Sequence, residues 1–491
     1  MSAASVAFDP FQRTFLGQPR ALITLFMTEM WERFSFYGMR ALLVLFLIAP
    51  KSGGGLGMSI SAAAGIYGVY VALVYLTPLP GGWLGDRLLG ARRAVIVGGV
   101  VIAAGHIVLA SLGGSGLFLA LLLIVIGTGL LKPNMTAMVG ELYDKHDEMR
   151  DAGFSFYYMG INLGAFLSPL VCGYLGQEVS WELGFGVAAA GMLAGLAQFI
   201  AGTRGMGSLG VAPANPMDGS ERKSFYRRLA AGAVVVAGLV ALDFLVIRAS
   251  ANAIELLITL VILVVPVFWF TRTLRRERTN RPQFNRVLVL LALFVAAAVF
   301  WLVYDQAGST LSIFAEQSTK NSVLGFSFPS SWFQSVNPIA IIILAPIMGA
   351  LWTALALRGR QPPTAVKFSL GLFLVALSML VMVFAAQASI DGKVAVMWLF
   401  AVYAIQTLGE LLISPIGMSA ATRLAPPKAV SQTLGVWFLA TSVGDAIGGR
   451  LAGLYDSLGH ADYFALLGAI TLIAAFVMLA LVRPLGRLAP D

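Results

Sequence analysis

Four charged residues interrupt the first long apolar stretch of this chain: Glu29, Glu32, Arg33 and Arg40. At the centre of a membrane helix each costs about 2.5–3.5 kcal/mol on insertion. At about 100° per residue, Glu29, Glu32, Arg33, Phe36, Tyr37 and Arg40 fall on one helical face. That stripe must meet protein or water, and Glu29 and Arg33 stand i, i+4, close enough to pair. A buried ion pair replaced by apolar residues is often no less stable, so packing alone explains four charges poorly. Burial and a neighbouring guanidinium pull a carboxylate's protonation in opposite directions, which suits a proton relay. The same stripe suits a site for a substrate carboxylate.

Other charges fall inside apolar stretches: Lys132, followed by Pro133, then Asp305, Glu410 and Asp445. Lys132 and Glu410 come from opposite halves of the chain, as do Arg40 and Asp305. Such pairs can form and part as two halves rock. Asp445 and Arg450 fit side chains that snorkel to an interface. Asn162, Asn337 and Ser414 add polar groups within spans, and Tyr37, Tyr75, Trp301 and Trp437 are candidate pocket linings. An aromatic in a membrane helix is more often packing or interfacial belt. His106, alone in an apolar stretch, reads as packing; His146 and His460 sit in loops, and no spacing suggests a metal site.

The elements that carry these residues are membrane helices. Charged residues make up 12% of the chain and hydrophobic ones 58%, and mean hydropathy is +0.84. That charge content is about half of a soluble domain's. Spanning stretches lie at roughly 21–49, 61–82, 94–111, 116–139, 153–176, 183–202, 229–248 and 252–271. Six more follow at roughly 287–315, 330–356, 366–387, 394–422, 431–455 and 463–483. With the N-terminus inside, 25 of the 33 basic residues are cytoplasmic, and Lys51, Arg248, Lys320 and Lys393 are outside. The net charge of +9 is then a topology signal and calls for no nucleic acid. The N-terminal segment has no signal-peptide pattern, so the first apolar helix reads as a retained span. Cys172 is the only cysteine, which excludes an intrachain disulfide. Residues 203–228 and the basic run 272–286 read as cytoplasmic linkers around an inserted helix pair. The expected architecture is an all-α membrane protein. A six-helix bundle over 1–202 precedes the linker and inserted pair over 203–286, and a second bundle spans 287–491.

Several motifs share one resemblance. Glu29-Met-Trp-Glu32-Arg33-Phe34-Ser-Phe36-Tyr37-Gly38 resembles the E-x-x-E-R-F-x-Y-Y-G of the proton-dependent oligopeptide transporter family, within the major facilitator superfamily. Gly82-Trp-Leu-Gly-Asp86-Arg87, ending in Arg92-Arg93, resembles the superfamily's loop motif, where Asp86 can take part in a cytoplasmic salt bridge. Gly127-Thr-Gly129-Leu-Leu-Lys132-Pro133-Asn134 and Phe156-Tyr157-Tyr158-Met-Gly-Ile161-Asn162-Leu-Gly164 resemble the family's fourth and fifth spans. Trp332-Phe-Gln-Ser-Val-Asn337-Pro338 and Gly409-Glu410-Leu-Leu-Ile-Ser414-Pro415 resemble its eighth and tenth.

The resemblance implies twelve core helices plus an inserted pair, in a cell membrane with both termini cytoplasmic. It implies uptake of di- and tripeptides with protons by a single chain, without cofactor, metal or catalysis. Arg40 and Lys132 would hold the peptide carboxylate, and Glu410 with Asn162 and Asn337 its amino terminus. Tyr37, Tyr75, Trp301 and Trp437 would line side-chain pockets, with Ser414 nearby. Glu29, Glu32, Arg33 and Asp305 would handle the proton. Arg40 with Asp305 would close the outer gate, and Asp86 with Arg87 would serve the inner one. Four positions depart from the pattern. Phe36 replaces a tyrosine, and Asp305 replaces a glutamate, with shorter reach to Arg40. Gly68 stands where animal members carry a proton-handling histidine, and Asp445 where an asparagine is common. The alternatives are a relative that moves another small anion such as nitrate, or a polytopic enzyme acting on lipid-linked substrates.

Overall fold

The computed structural model describes residues 13–15, 17–144, 149–242, 251–426 and 429–489. The segment before Arg13, His146, the loop cations Lys145, Arg248 and Lys428, and the last residues of the stretch 229–248 lie outside them.

The chain builds helices α1 (Arg20–Ile48), α2 (Ile60–Leu76), α3 (Pro78–Leu84), α4 (Ala91–Leu112), α5 (Leu117–Glu141), α6 (Arg150–Tyr174) and α7 (Trp181–Gly202). Next come α8 (Gly219–Leu242) and α9 (Ala251–Arg276). The remainder comprises α10 (Arg281–Tyr304), α11 (Thr310–Ser318), α12 (Val336–Leu357), α13 (Thr364–Ala388), α14 (Met397–Leu424), α15 (Val430–Ala452), α16 (Tyr455–Leu458) and α17 (His460–Leu488). Ten described stretches, one of them holding both α4 and α5, are long and apolar enough to cross a bilayer. The charges on α1 keep it out of that set. The chain is a polytopic helical membrane protein, with large apolar side chains such as Phe118, Phe268 and Ile473 turned outward.

The helices run further than hydropathy suggests. Residues 219–228 and 272–276 are helical, so the linker shrinks to 203–218 and the second connection to 277–280. Backbone bonding continues after the apolar stretch ends, because charged side chains at a helix end reach water without unwinding it. The stretch 61–82 bends at Thr77–Pro78, where Pro78 opens α3. Thr77 Oγ1 donates to the carbonyls of Leu73 and Val125, holding the bend against α5. The stretch 287–315 breaks into a tight turn at Asp305–Gly308 between α10 and α11.

Small residues set how closely helices approach, as they do where hydrophobic burial supplies no driving force in lipid. A Cβ on Gly164 would lie 2.3 Å from the Met30 carbonyl, and one on Gly38 would lie 2.6 Å from Cys172 Sγ. These contacts pin α6 to α1. Across the halves, α2 packs against α15. There a Cβ on Gly68 would lie 2.6 Å from Gly449 Cα and 2.8 Å from the Asp445 carbonyl. The histidine of animal relatives has no room here. Gly68→Ala is expected to destabilise this packing by about 1–3 kcal/mol, the usual penalty of overpacking. A detergent melting curve reads it, and an unchanged midpoint would remove the close-packing account. Helix α9 packs against α2, α10 and α15.

Candidate functional site

The charged face of α1 is fully inside the protein. Glu29, Glu32 and Arg33 are all buried. Arg33 donates from both Nε and Nη2 to the Glu32 carboxylate, the second bond at 2.6 Å. Its Nε also lies 3.5 Å from Glu29 Oε1. From α6, the Tyr157 hydroxyl donates to Glu29 Oε2 at 2.5 Å. Arg33 Cζ stacks 4.9 Å from the Phe36 ring centre, so the residue that lacks a hydroxyl still serves as a platform for the guanidinium.

One pole of the site belongs to the first half of the chain. Arg40 donates from Nε to the Tyr67 hydroxyl at 2.6 Å and from Nη2 to Asp305 Oδ1 at 2.5 Å. Asp305 reaches Arg40 despite its short side chain because the chain tightens where α10 ends and Gly308 lets Tyr67 in. A Cβ on Gly308 would stand 1.8 Å from the Tyr67 hydroxyl. Lys132 Nζ sits 4.7 Å from the Tyr75 ring centre, and Arg40 Cζ 5.7 Å from that of Tyr37.

The opposite pole is Glu410 on α14, which is buried. Its Oε2 accepts from Tyr304 at 2.6 Å and from Asn337 Nδ2 at 2.9 Å. Asn337 Nδ2 also reaches Thr407 Oγ1 at 2.9 Å. Trp301 meets Tyr304, the donor to Glu410, edge-on, and Trp437 meets Phe368. Bonds between the halves gather with the Arg40–Asp305 pair at the ends assigned outside. Gln177 bonds Ser330 and the Ser331 amide, each at 3.0 Å. Trp332 donates to the Leu170 carbonyl, and Ser335 to that of Phe166.

The POT family model matches residues 92–466. The chain belongs to the POT family. It is 39% identical to a di-/tripeptide transporter of Lactococcus lactis subsp. cremoris, with 98% of each chain covered. It is 40% identical to an uncharacterized transporter, YclF, of Bacillus subtilis, over 96% of this chain and 95% of that one. Among solved structures, a peptide transporter POT in complex with sulfate superposes with a TM-score of 0.94 at 42% identity, covering 98% of each chain.

Several sequence expectations for this POT chain need correction. Lys132 and Glu410 form no ion pair with each other: Glu410 is held by Tyr304 and Asn337, while Lys132 lies over Tyr75. Asn162, whose assigned role is untouched by this, is buried, and its amide donates to the Tyr158 carbonyl of its own helix. Arg87 pairs with Glu221 at 2.6 Å, at the start of α8, and Asp86 contributes its backbone carbonyl to the Asn215 amide. The linker folds back onto this loop and brings the start of α8, which supplies the acid, a contact beyond the reach of local spacing. Asp445 does not snorkel; it is 4% exposed. Arg450 does reach the surface, where it meets Glu255 of α9 at 3.3 Å. His106 is buried as expected, with no partner on either ring nitrogen among the described residues. Ser414 is half-buried, one turn beyond Glu410.

Tyr67, Tyr157, Tyr304 and Thr407 complete the site and escape a search for charge. Tyrosine and threonine cost little in a membrane helix, so their types carry no alarm. The usable signals were proximity to marked residues, with Tyr304 beside Asp305, Tyr157 within the fifth-span motif and Thr407 one turn before Glu410.

Proposed function

We propose that this chain is a proton-coupled symporter that imports di- and tripeptides by alternating access. The observation that carries the reading is a pair of opposed poles. Lys132 and Arg40 come from one half of the chain and Glu410 with Asn337 from the other, and Lys132 is not neutralised by Glu410. A peptide zwitterion needs one cationic and one anionic end in a single site. Lys132 and Arg40 take the carboxylate. Glu410, Asn337 and Asn162 take the amino group. Tyr37, Tyr75, Trp301, Trp437 and Ser414 shape the side-chain pockets. Glu29, Glu32 and Arg33 carry the proton cycle, and Arg40 with Asp305 closes the outer gate. On the inner side Arg87 is latched by Glu221. The two poles and both gate partners lie in one chain, which supports a single chain as the transporting unit.

Purified protein in proteoliposomes is expected to accumulate labelled dialanine under an inward proton gradient and to stop when a protonophore collapses it. Accumulation of nitrate with none of dialanine would overturn the peptide reading.

A further inference from the structure

Asp445 is a buried acid that the scheme above leaves without a task. Among the described residues neither of its carboxylate oxygens has a hydrogen-bond partner, and Asp305 Oδ2 lacks one too. Asp305 Oδ1 is taken by Arg40. The two aspartates line one cavity of about 10 Å³ between α2, α10 and α15, together with Tyr67, Gly68, Gln306 and Ser309. That volume holds about one water.

The Gln306 and Ser309 donors around this cavity are committed elsewhere. Gln306 Nε2 donates to the carbonyls of Leu302 and Gly448. Ser309 Oγ donates to Gln306 Oε1. Tyr67 receives the Arg40 Nε–H and makes no bond to Asp445. The charged and titratable groups facing Asp445 are Arg40 of α1, Tyr67 and Tyr75 of α2, and Asp305 at the end of α10. Glu255 of α9 is occupied by Arg450, and Glu410 of α14 by Tyr304 and Asn337. Two carboxylates therefore share a single cation in a buried site. An unpaired buried charge is expensive, and two carboxylates side by side do not both ionise.

We propose that Asp445 and Asp305 hold one proton between them, which makes Asp445 a proton-binding residue of the outer gate. The shared proton balances the cluster: one guanidinium, one carboxylate and one carboxylic acid. When the proton passes from Asp445 to Asp305, Asp305 becomes a neutral acid and Asp445 keeps the negative charge. Arg40 then loses its ionised partner across the halves, and the outer gate is free to part. Asp445 thus couples the position of the shared proton to gate opening, which rests on the symport reading above.

The test is infrared spectroscopy of the detergent-purified chain with ¹³C in the aspartate side-chain carboxyls. The wild type is expected to show a protonated-carboxyl carbonyl stretch that shifts with the label and with deuteration. Asp445→Asn, which keeps the side chain's shape, is expected to lose that band while still binding dialanine in calorimetry. A wild type with no label-sensitive carboxylic acid band overturns the proposal whatever the variant does. A band that persists unchanged in Asp445→Asn overturns it as well. Neither readout needs transport. If the wild type fails to accumulate dialanine yet shows the band and loses it in the variant, the shared proton stands and the symport reading falls.

Discussion

Replacing Glu29 or Glu32 by glutamine is expected to abolish gradient-driven dialanine accumulation while leaving dialanine counterflow. Both acids are buried beside a single guanidinium, so any proton that one of them takes up changes the charge balance of the whole cluster. A glutamine keeps the shape and loses the ionisable oxygen. Exchange of one peptide for another needs the gates and the binding poles, but no net proton cycle. Glu29→Gln is the cleaner variant, because Tyr157 can still donate to the amide oxygen. Glu32→Gln also breaks the two-pronged bond with Arg33, and breaking a buried pair costs about 3–5 kcal/mol. That variant therefore needs a melting curve beside the transport assay. Driven uptake at the wild-type level in both variants would remove this cluster from the proton cycle.

Glu410→Ala is expected to weaken dialanine binding by about 30-fold to 5,000-fold, the equivalent of about 2–5 kcal/mol for one partner of a buried charged hydrogen-bonded pair. The loss has two parts. The ammonium of the peptide loses its counter-charge, and Tyr304 and Asn337 lose their acceptor. Tyr304→Phe separates the two, since it removes one bond to Glu410 and keeps the charge. Its effect should be close to that of a single hydrogen bond to a charged group, about 1.5–3 kcal/mol. Calorimetry with dialanine reads all three proteins. An unchanged Kd for Glu410→Ala would place the amino terminus elsewhere.

The POT fold was legible because burying charge in hydrocarbon is a cost set by residue type. Glu29, Glu32, Arg33, Arg40, Lys132, Asp305, Glu410 and Asp445 therefore stand out of a chain that is otherwise apolar. The period of the helix then placed the α1 charges on one face, and the i, i+4 contact of Arg33 with Glu29 follows from that spacing, whereas the Arg33–Glu32 pair does not. Span limits were legible to within a few residues, except where charged residues continued a helix past its apolar part, as at Gly219 and Arg276.

The Arg40–Asp305 pairing was legible, but most partner choice was not, because it depends on how closely helices distant in sequence approach. Arg40 meets Asp305 because the turn after α10 and Gly308 bring Tyr67 and the aspartate together. Arg87 meets Glu221 because the linker returns to the α3 end. Lys132 and Glu410, opposite in charge and suggestive as a pair, are kept apart by nearer neighbours. Asp445 has the sharpest contrast of this kind. Its position near a span end made it a plausible surface acid, yet the glycine contact between Gly68 and Gly449 draws α2 against α15 and seals it beside Asp305. Residue type and period determined which side chains cannot face lipid. Only helix packing, set here by missing side chains as much as by present ones, decided which of them face each other.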